Sequence, residues 1–242
     1  GMSALKNFQN IIIGSVVAAG IALGGFFISK TLYNAKVALN TAEAKGLAER
    51  RVQADRANWS IGFSVSGKSR DEVPELYRKA EGIQERLKSI LKESGFEDGE
   101  IKVGIIDYGS RQYRNEDQIL TDEDHFLNGT ISVETDKVAA VAPARGVVNK
   151  LISEGISITN RTPKYSFTGL NEIKPEMLRE ATKNARIAAN EFASNAQVEV
   201  GGIRTARQGS FFIRDAGSES SDSHKIEKDV RVVTTITFFL TD

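Results

Sequence analysis

The chain has 242 residues, balances 32 Lys and Arg against 32 Asp and Glu, and contains no cysteine. The balanced charge, without any block of Lys and Arg interleaved with aromatic residues, argues against a nucleic-acid-binding protein. The absence of cysteine excludes a disulfide framework, thiolate catalysis and cysteine-based metal sites.

An uncharged and almost wholly apolar segment, Ile11 to Ser29, dominates the N-terminal region. A helix needs about 20 apolar residues to cross a bilayer core of about 30 Å, so this segment predicts a single transmembrane anchor. We therefore divide the chain into a short tail (1–10), an anchor (11–30), a stalk (31–45) and one folded α+β domain (46–242). The domain has about 200 residues, enough for a well-packed core.

A cleaved secretory signal is the alternative interpretation of the apolar segment. Such a signal has an apolar core of about 7 to 15 residues, followed directly by a small-residue cleavage site. Here the segment is longer, and the nearest Ala-x-Ala pattern, Ala42 to Ala44, lies well beyond it. The pattern favours an uncleaved anchor. Its orientation stays open, because Lys6 on one side faces Lys30 and Lys36 on the other and short-loop Lys/Arg bias sets topology.

The domain is predicted to begin with a strand followed by a helix. The alanine-rich, charged segment Asn34 to Arg51 predicts a helical stalk that Gly46 interrupts. From Val52 to Ser66, apolar residues alternate with small polar ones, which predicts a strand with one buried face. From Asp71 the apolar period changes to three and four residues, which predicts an amphipathic helix ending near Gly95. The apolar stripe of this helix comprises Val73, Leu76, Ala80, Ile83, Leu87 and Ile90.

The middle of the domain is predicted to contain three strands and one helix. Two strands are expected at Ile101 to Ile105 and at Phe126 to Thr135, with the polar segment Arg111 to Asp124 forming a long hairpin end between them. A helix from about Lys137 to Glu154 and a strand from Ile156 to Phe167 complete this part.

The C-terminal part adds one helix and two strands. The helix carries Pro175 in its first turn, where a missing N–H costs little. Its predicted buried stripe comprises Met177, Ala181, Ala185, Ala188 and Phe192. Strands are expected at Val198 to Arg214 and at Ile226 to Leu240, around a serine-rich loop at residues 217–223 whose composition predicts mobility.

The element order predicts the fold class. Strand, helix, two strands, helix and strand follow the split βαβ (βαββαβ) order of ferredoxin-like units. We therefore predict an α+β fold with a largely antiparallel sheet and helices packed on it, extended by a helix and two strands and preceded by one N-terminal transmembrane helix.

One segment matches a nucleotide-binding motif. Gly62 to Ser69 fits G-x-x-x-x-G-K-[ST], in which Lys68 would reach the outer phosphates and Ser69 would bind the metal. A working phosphate loop must leave the strand to wrap its backbone N–H groups around phosphates, whereas here the strand alternation continues through Val65. We therefore favour the end of a strand and a turn at Gly67 to Ser69 into a helix capped by Ser69 or Asp71.

The other candidates for chemistry are weaker. Asp122 to His125 lacks the spacing of a calcium loop or a zinc helix, so a solvated hairpin tip is favoured over a cation site. His224 falls in the serine-rich loop and is expected to be exposed. Two distant histidines without a G-x-S-x-G motif give little support to a serine hydrolase. Three N-x-[ST] patterns, at Asn58, Asn128 and Asn160, fall in predicted strands and are interpreted as chance matches.

The order of several short motifs indicates a family. The segment Gly46 to Ala57 resembles the opening signature of the SIMPL domain family (DUF541), in which a Gly, an acidic residue, a Val and an Asp-x-Ala lead into a strand. Ala54 stands where many members have proline. Asn184-Ala185-Arg186 and then Val200-Gly201-Gly202-Ile203 are similar to the family's Ala-Arg-rich helix and the strand start after it. The resemblance covers about Gly46 to Leu240.

This resemblance implies an exported bacterial protein on the periplasmic side of the inner membrane. Some relatives form large homo-oligomers, and some are linked to stress defence. No catalytic residues are established for the family. We therefore expect a non-enzymatic, single-span envelope protein that assembles with itself or with another envelope protein, and we assign no catalytic, cofactor-binding or metal-binding residue. A nucleotide-binding domain using Gly62 to Ser69 is the alternative.

Overall fold

A computed structural model describes residues 2–219 and 223–241 of the chain. These residues form two compact units. Unit 1 comprises the chain up to Ala48, the segment Glu176–Phe211 and the segment from Val232 onward. Unit 2 comprises Glu49–Pro175 and Phe212–Arg231.

Helices and antiparallel strands alternate along the described residues, with one turn of 3-10 helix at Arg70–Glu72. In chain order the elements are α1 (Met2–Leu39), β1 (Thr41–Gln53), β2 (Arg56–Gly67), α2 (Val73–Glu93), β3 (Ile101–Val103), β4 (Asp107–Arg114), β5 (Leu120–Thr135), α3 (Val138–Ser153), β6 (Ser157–Asn160), β7 (Lys164–Ser166), α4 (Leu170–Ala196), β8 (Glu199–Gln208), β9 (Phe212–Asp215) and β10 (Glu227–Thr241). The predicted α+β class with antiparallel strands is confirmed.

The predicted helical stalk is wrong beyond Leu39, because the chain is a strand from Thr41 onward. Along β1, Ala44 and Ala48 are buried and alternate with exposed residues, which is the period of a strand. Alanine has a high helix propensity, but the packing of this segment against the rest of unit 1 determines that it is a strand. A Cβ atom on Gly46 would lie 1.7 Å from the carbonyl oxygen of Ala181 in α4, so only a bare backbone fits at this point.

Unit 1 is built on the antiparallel pairing of β8 with β10, from Gln208 opposite Thr234 to Glu199 opposite Thr241. The sheet order is β1-β10-β8. The pairing of β9 with the first residues of β10, Lys228 to Arg231, belongs to unit 2. The apolar core of unit 1 contains Ala44, Ala185, Ala189, Ile236 and Phe238.

Helix α4 differs from its prediction in where it begins and in which side chains it buries. It begins at Leu170, so Pro175 lies inside the helix rather than in its first turn. Its buried stripe repeats every four residues through Ala181, Ala185, Ala189 and Ala193. The predicted burial of Phe192 is wrong, since this side chain is 62% exposed. A stripe of alanines brings the helix backbone close to its neighbours, which leaves no room for a phenyl ring on that face.

Unit 2 contains the second sheet, with strand order β3-β5-β2-β6. All its described pairs are antiparallel, β4 pairs with β5, and β7 pairs with β2. Strands β2 and β5 correspond to the first and third strands of the predicted split βαβ order, and they lie side by side at the centre of this sheet. Helices α2 and α3 contribute to one apolar core together with Trp59, Ile61 and Phe63 of β2. The predicted stripe of α2 is confirmed at Leu76, Ala80 and Leu87.

Two glycines allow the packing of these elements to be tested. We expect Gly46→Ala to lower the free energy of unfolding by about 3 kcal/mol, because the added methyl group would overlap the α4 backbone. Gly82→Ala is the matched control, since a Cβ atom there meets nothing within 4 Å and the site lies in α2. This control should raise the free energy of unfolding by about 0.5 to 1 kcal/mol. Urea denaturation of the fragment from Asn40 onward measures both, and equal effects would contradict the close approach of β1 to α4.

Candidate functional site

Helix α1, which is long and apolar enough to be a candidate membrane span, presents an exposed apolar surface in unit 1. The side chains from Asn10 to Ala35 are all exposed, including Ile21 at 71% and Phe26 at 62%. At a rise of about 1.5 Å per residue, a helix of this length exceeds the bilayer core. An apolar surface of this size is unfavourable in water, so it requires a membrane or another apolar environment.

A second unpartnered surface is the outer edge of β3 and β4 in unit 2, which we call the free edge (Ile101–Arg114). Both strands pair only with β5 among the described residues. The backbone N–H of Gly104 donates to the carbonyl oxygen of Thr130 at 2.8 Å, which shows that even-numbered residues of β5 face this edge. Strand alternation then directs the backbone groups of Tyr108, Ser110 and Gln112 outward, away from β5. A row of unpaired backbone groups of this kind is a template for pairing with another strand.

The free edge continues into an arm, the two-stranded ribbon Arg111–Asp124. Strand β2 ends opposite His125, so beyond that residue β4 and β5 pair only with each other. The predicted long hairpin is therefore confirmed. Apolar side chains are exposed at the tip of the arm and along the edge, with Ile119 60% and Ile105 83% exposed. Exposed apolar side chains beside a free strand edge are typical of an association surface.

The phosphate-loop motif does not form a phosphate loop. Gly62 to Gly67 belong to β2 and pair with β5 throughout, and Gly62 also lies opposite Thr159 of β6. Apart from that of Ser66, the backbone N–H groups from Gly62 to Gly67 therefore face a paired strand and not a phosphate. The hydroxyl oxygen of Ser69 accepts a hydrogen bond from the N–H of Asp71 at 3.3 Å, which confirms the predicted cap.

Lys68 joins the end of β2 to the arm. Its Nζ lies 2.7 Å from Oδ2 of Asp122 and 2.6 Å from Oδ1 of Asp124. The hydrogen bond with Asp122, and then that with Asp124, raises the pKa of the Lys68 ammonium group. The same contact lowers the pKa of each carboxyl group below its ordinary value. The motif lysine thus binds two carboxylates of its own chain rather than phosphate oxygens.

The predicted solvated hairpin tip at Asp122 to His125 is wrong, because these residues lie within β5. His125 is buried, and its Nδ1 lies 2.8 Å from the hydroxyl oxygen of Tyr108. The two rings are stacked, with an interplanar angle of 12°. Among the described residues no group of three or more His, Asp or Glu side chains is placed to hold a metal ion.

A buried polar network in unit 2 was not found by sequence reasoning. Asp215 of β9 and Lys228 of β10 form an ion pair with relative exposures of 0% and 3%. The Asp215 carboxylate also accepts hydrogen bonds from the backbone N–H groups of His224 and Lys225, at 2.9 and 3.1 Å. Burial alone raises the pKa of the Asp215 carboxyl, and the hydrogen bonds from Lys228 and these two N–H groups outweigh that effect, so the pKa lies below its ordinary value.

A second ion pair supports the same part of unit 2. The guanidinium group of Arg51 donates to both carboxylate oxygens of Asp229, at 2.9 and 3.2 Å. The N–H of Gly217 donates to the same carboxylate at 3.1 Å. Asp229 therefore holds the start of the serine-rich loop at Gly217, and Asp215 holds its end at His224. Residues 220–222, the centre of the loop predicted to be mobile, lie outside the described residues. His224 is exposed, as predicted, with its Nδ1 3.2 Å from the carbonyl oxygen of Pro163.

The three glycosylation patterns fall in strands, as predicted. Asn58 lies in β2, Asn128 in β5 and Asn160 in β6. The Asn160 side chain accepts a hydrogen bond from the indole N–H of Trp59 at 2.9 Å and donates to the carbonyl oxygen of Arg145 at 3.0 Å. This asparagine therefore has a structural role.

The fold and these surfaces define an α+β domain of antiparallel strands behind an N-terminal apolar helix. The sequence profile of the SIMPL family, described as a protein of unknown function (DUF541), matches residues 43–238. The chain belongs to the SIMPL family. This confirms the resemblance carried by the motifs between Gly46 and Leu240.

The other comparisons give distant likenesses. No curated protein matches the sequence. A protein from methicillin-resistant Staphylococcus aureus described as an aminohydrolase is 14% identical, with a TM-score of 0.24 over 59% of this chain and 39% of that chain. A protein of unknown function from Galdieria sulphuraria is 11% identical, with a TM-score of 0.16 over 75% of this chain and 83% of that chain. This chain therefore spans well under half of the Staphylococcus aureus protein, and neither likeness bears on activity.

The buried ion pair generates a pH-dependent prediction. Lys228→Met leaves the Asp215 carboxylate buried without a cation, and we expect it to lower the free energy of unfolding at pH 7 by about 3 to 5 kcal/mol. In the wild type the depressed pKa of Asp215 stabilises the fold above the ordinary carboxyl pKa and ceases to do so as the pH falls through the folded value. In the variant, burial raises this pKa, so acidification protonates and relieves the buried group. The difference in the free energy of unfolding between the wild type and Lys228→Met should therefore become smaller from pH 7 to pH 4.

Urea denaturation of the fragment from Asn40 onward at both pH values tests this expectation. The double variant Asp215→Asn with Lys228→Met is the control. It leaves no buried charge at positions 215 and 228, and the amide oxygen of Asn at position 215 can still accept hydrogen bonds from the N–H groups of His224 and Lys225, so it should recover most of the lost stability. If the wild type and Lys228→Met differed in their free energy of unfolding by the same amount at pH 7 and pH 4, the assigned role of the Asp215–Lys228 ion pair would be contradicted.

Proposed function

We propose that this protein is a non-enzymatic, single-span protein of the bacterial inner membrane whose soluble domain lies in the periplasm. The observation that carries the proposal is the apolar helix between Asn10 and Ala35, which is long enough to span a bilayer and has no part buried. Membership of the SIMPL family supports an envelope location, since the resemblance implies export. The absence of cysteine from the chain is compatible with an oxidising compartment.

The soluble domain acts by assembly in this proposal, either with itself or with another envelope component. The free edge and the arm support self-association, because they combine outward backbone groups with exposed apolar side chains such as Ile105 and Ile119. The ionisable groups with shifted pKa values also suit a structural role. The pKa values of Lys68 and Asp122 are shifted by the ion pair between the segment after β2 and β5, and hydrogen bonds from Lys228 and the loop before β10 lower that of Asp215.

A topology measurement tests the location. A reporter enzyme that is active only outside the cytosol, fused after Asp242, should be active in cells that carry the full chain. The same fusion lacking residues 2–39 should be inactive, because the segment that directs export is gone. An expressed but inactive full-length fusion would place the domain in the cytosol and overturn the proposal.

The retention of helix α1 distinguishes an anchor from a cleaved signal. Mass spectrometry of the protein isolated from membranes should detect peptides from residues 31–45 joined to the apolar segment. We also expect the protein to stay in the membrane fraction after alkaline carbonate washing, since a helix of about 20 apolar residues inserts stably. A mature protein that begins after residue 30 would show that the segment is a signal sequence.

A proline substitution tests the free edge. Gln112→Pro removes an N–H group that faces away from β5, so it should leave the monomer fold intact while blocking the pairing of another strand with β4. We expect the fragment from Asn40 onward to form oligomers in light scattering, and Gln112→Pro to shift it toward the monomer. Gln112→Ala keeps the N–H group and should behave like the wild type. Identical oligomer distributions for the two variants would exclude this edge as the contact.

A further inference from the structure

A second, shorter opening lies on the other side of the same sheet, at the end of β2. Strand β2 pairs with β5 as far as Gly67, but its pairing with β6 ends at Ser64. The carbonyl oxygen of Ser60 accepts a hydrogen bond from the N–H of Arg161 at 3.2 Å, so even-numbered residues of β2 direct their backbone groups toward the β6 side. By the same alternation, the N–H and C=O groups of Ser66 face this side, and no described strand lies opposite them.

Two hollows flank this opening, one on each face of the sheet. The hollow on the helix side has a volume of about 560 Å³ and lies between β2, α2 and the start of β6. Its apolar lining consists of Val65, Leu76, Ile83 and Ile156. The hollow on the opposite side has a volume of about 540 Å³. Its lining is polar apart from Phe126 and includes Ser64, Ser66, Lys68 and Arg111. A strand added beside Ser66 would place alternate side chains into the two hollows.

The charges around the opening specify the partner's chemistry. Lys79 and Arg86 are the charged residues of the helix-side hollow, which has no acidic residue in its lining. In the other hollow Lys68 is paired with the carboxylates of Asp122 and Asp124, so Arg111 is the cation there that forms no salt bridge among the described residues. Arg86 and Lys68 are paired within the chain, whereas Lys79 and Arg111 take part in no salt bridge among residues 2–219 and 223–241. The opening therefore favours an acidic ligand.

We propose that this opening binds an extended peptide segment of a partner protein, with alternating apolar and acidic side chains, as an added strand antiparallel to β2. The residue opposite Ser66 exchanges backbone hydrogen bonds with it and directs its side chain to the face that carries Lys68 and Arg111. Its neighbours direct apolar side chains onto Val65 and Ile83. The acidic positions are therefore the ones that pair with the backbone of β2. The free edge lies on the opposite side of the sheet, so the two sites use different backbone groups, and Arg111 is a residue that they share.

Binding of a labelled peptide tests the proposal. The probe is a fluorescein-labelled hexapeptide of alternating valine and glutamate, measured by fluorescence anisotropy with the full chain in detergent micelles. We expect saturable binding of this peptide and none of a peptide in which lysine replaces glutamate. Arg111→Glu and Lys79→Glu should each weaken binding at least about threefold, because each reverses a charge beside the peptide. Lys183→Glu, on an exposed position of α4, is the matched control and should leave binding unchanged.

Backbone methylation distinguishes an added strand from a charged peptide held loosely on the surface. N-methylation at the glutamates removes the N–H groups that face β2 and should weaken binding about tenfold. N-methylation at the valines blocks N–H groups that face away from β2 and should have little effect. Equal effects of the two methylation patterns, or equal binding of the lysine peptide, would overturn the proposal. Binding of dodecanoate that Lys79→Glu abolishes, without binding of the peptide, would assign the site to an anionic amphiphile instead.

Discussion

The antiparallel pairing of β2 with β5 is the constraint on which unit 2 depends. It runs without a register shift from Ala57 opposite Thr135 to Gly67 opposite His125. Because side chains alternate strictly along a strand, this one register sends Trp59, Ile61 and Phe63 into the core together. Gly129 is required by the same register, since a Cβ atom there would lie 2.1 Å from Cζ of Phe63. A slip of one residue would expose the whole apolar face.

Polar contacts hold in place elements of unit 2 that lie outside the β2–β5 pairing. Asn160 ties the indole of Trp59 to α3, because its amide also donates to the carbonyl oxygen of Arg145 and to Oδ1 of Asn149 at 2.8 Å. Asp215 holds Lys228 of the neighbouring strand and two N–H groups of the loop before β10. Buried polar groups of this kind are costly unless they are satisfied, so each of them strongly favours one arrangement of the chain around it.

The surfaces available for function are those that the packing leaves unpaired. Between Asn10 and Ala35, helix α1 presents apolar side chains around its whole circumference, which a packed helix of a soluble domain does not do. The sheet of unit 2 ends in a long free edge on one side and in the short opening at Ser66 on the other. Because strand edges bind through backbone groups, both sites suit association with protein segments and need no catalytic side chains.

The sequence by itself determined the features that depend on near neighbours in the chain. The apolar helix α1, the alternation of β2, the three-and-four period of α2 and the family signature are all local patterns, and the structure and the family profile confirm them. Gly62 to Ser69 matched a local pattern as well, but the pairing of β2 on both sides decided that it is a strand.

Only the tertiary structure decided the features that depend on partners distant in sequence. The close approach of Ala181 makes a strand of the alanine-rich segment around Gly46, and the four-residue alanine stripe of α4 leaves Phe192 outside. The pairing of Asp215 with Lys228 and the early end of β6 beside Ser66 likewise follow from strand register. Local composition indicates which secondary structure a segment prefers. Its burial and strand register depend on which distant segment packs against it.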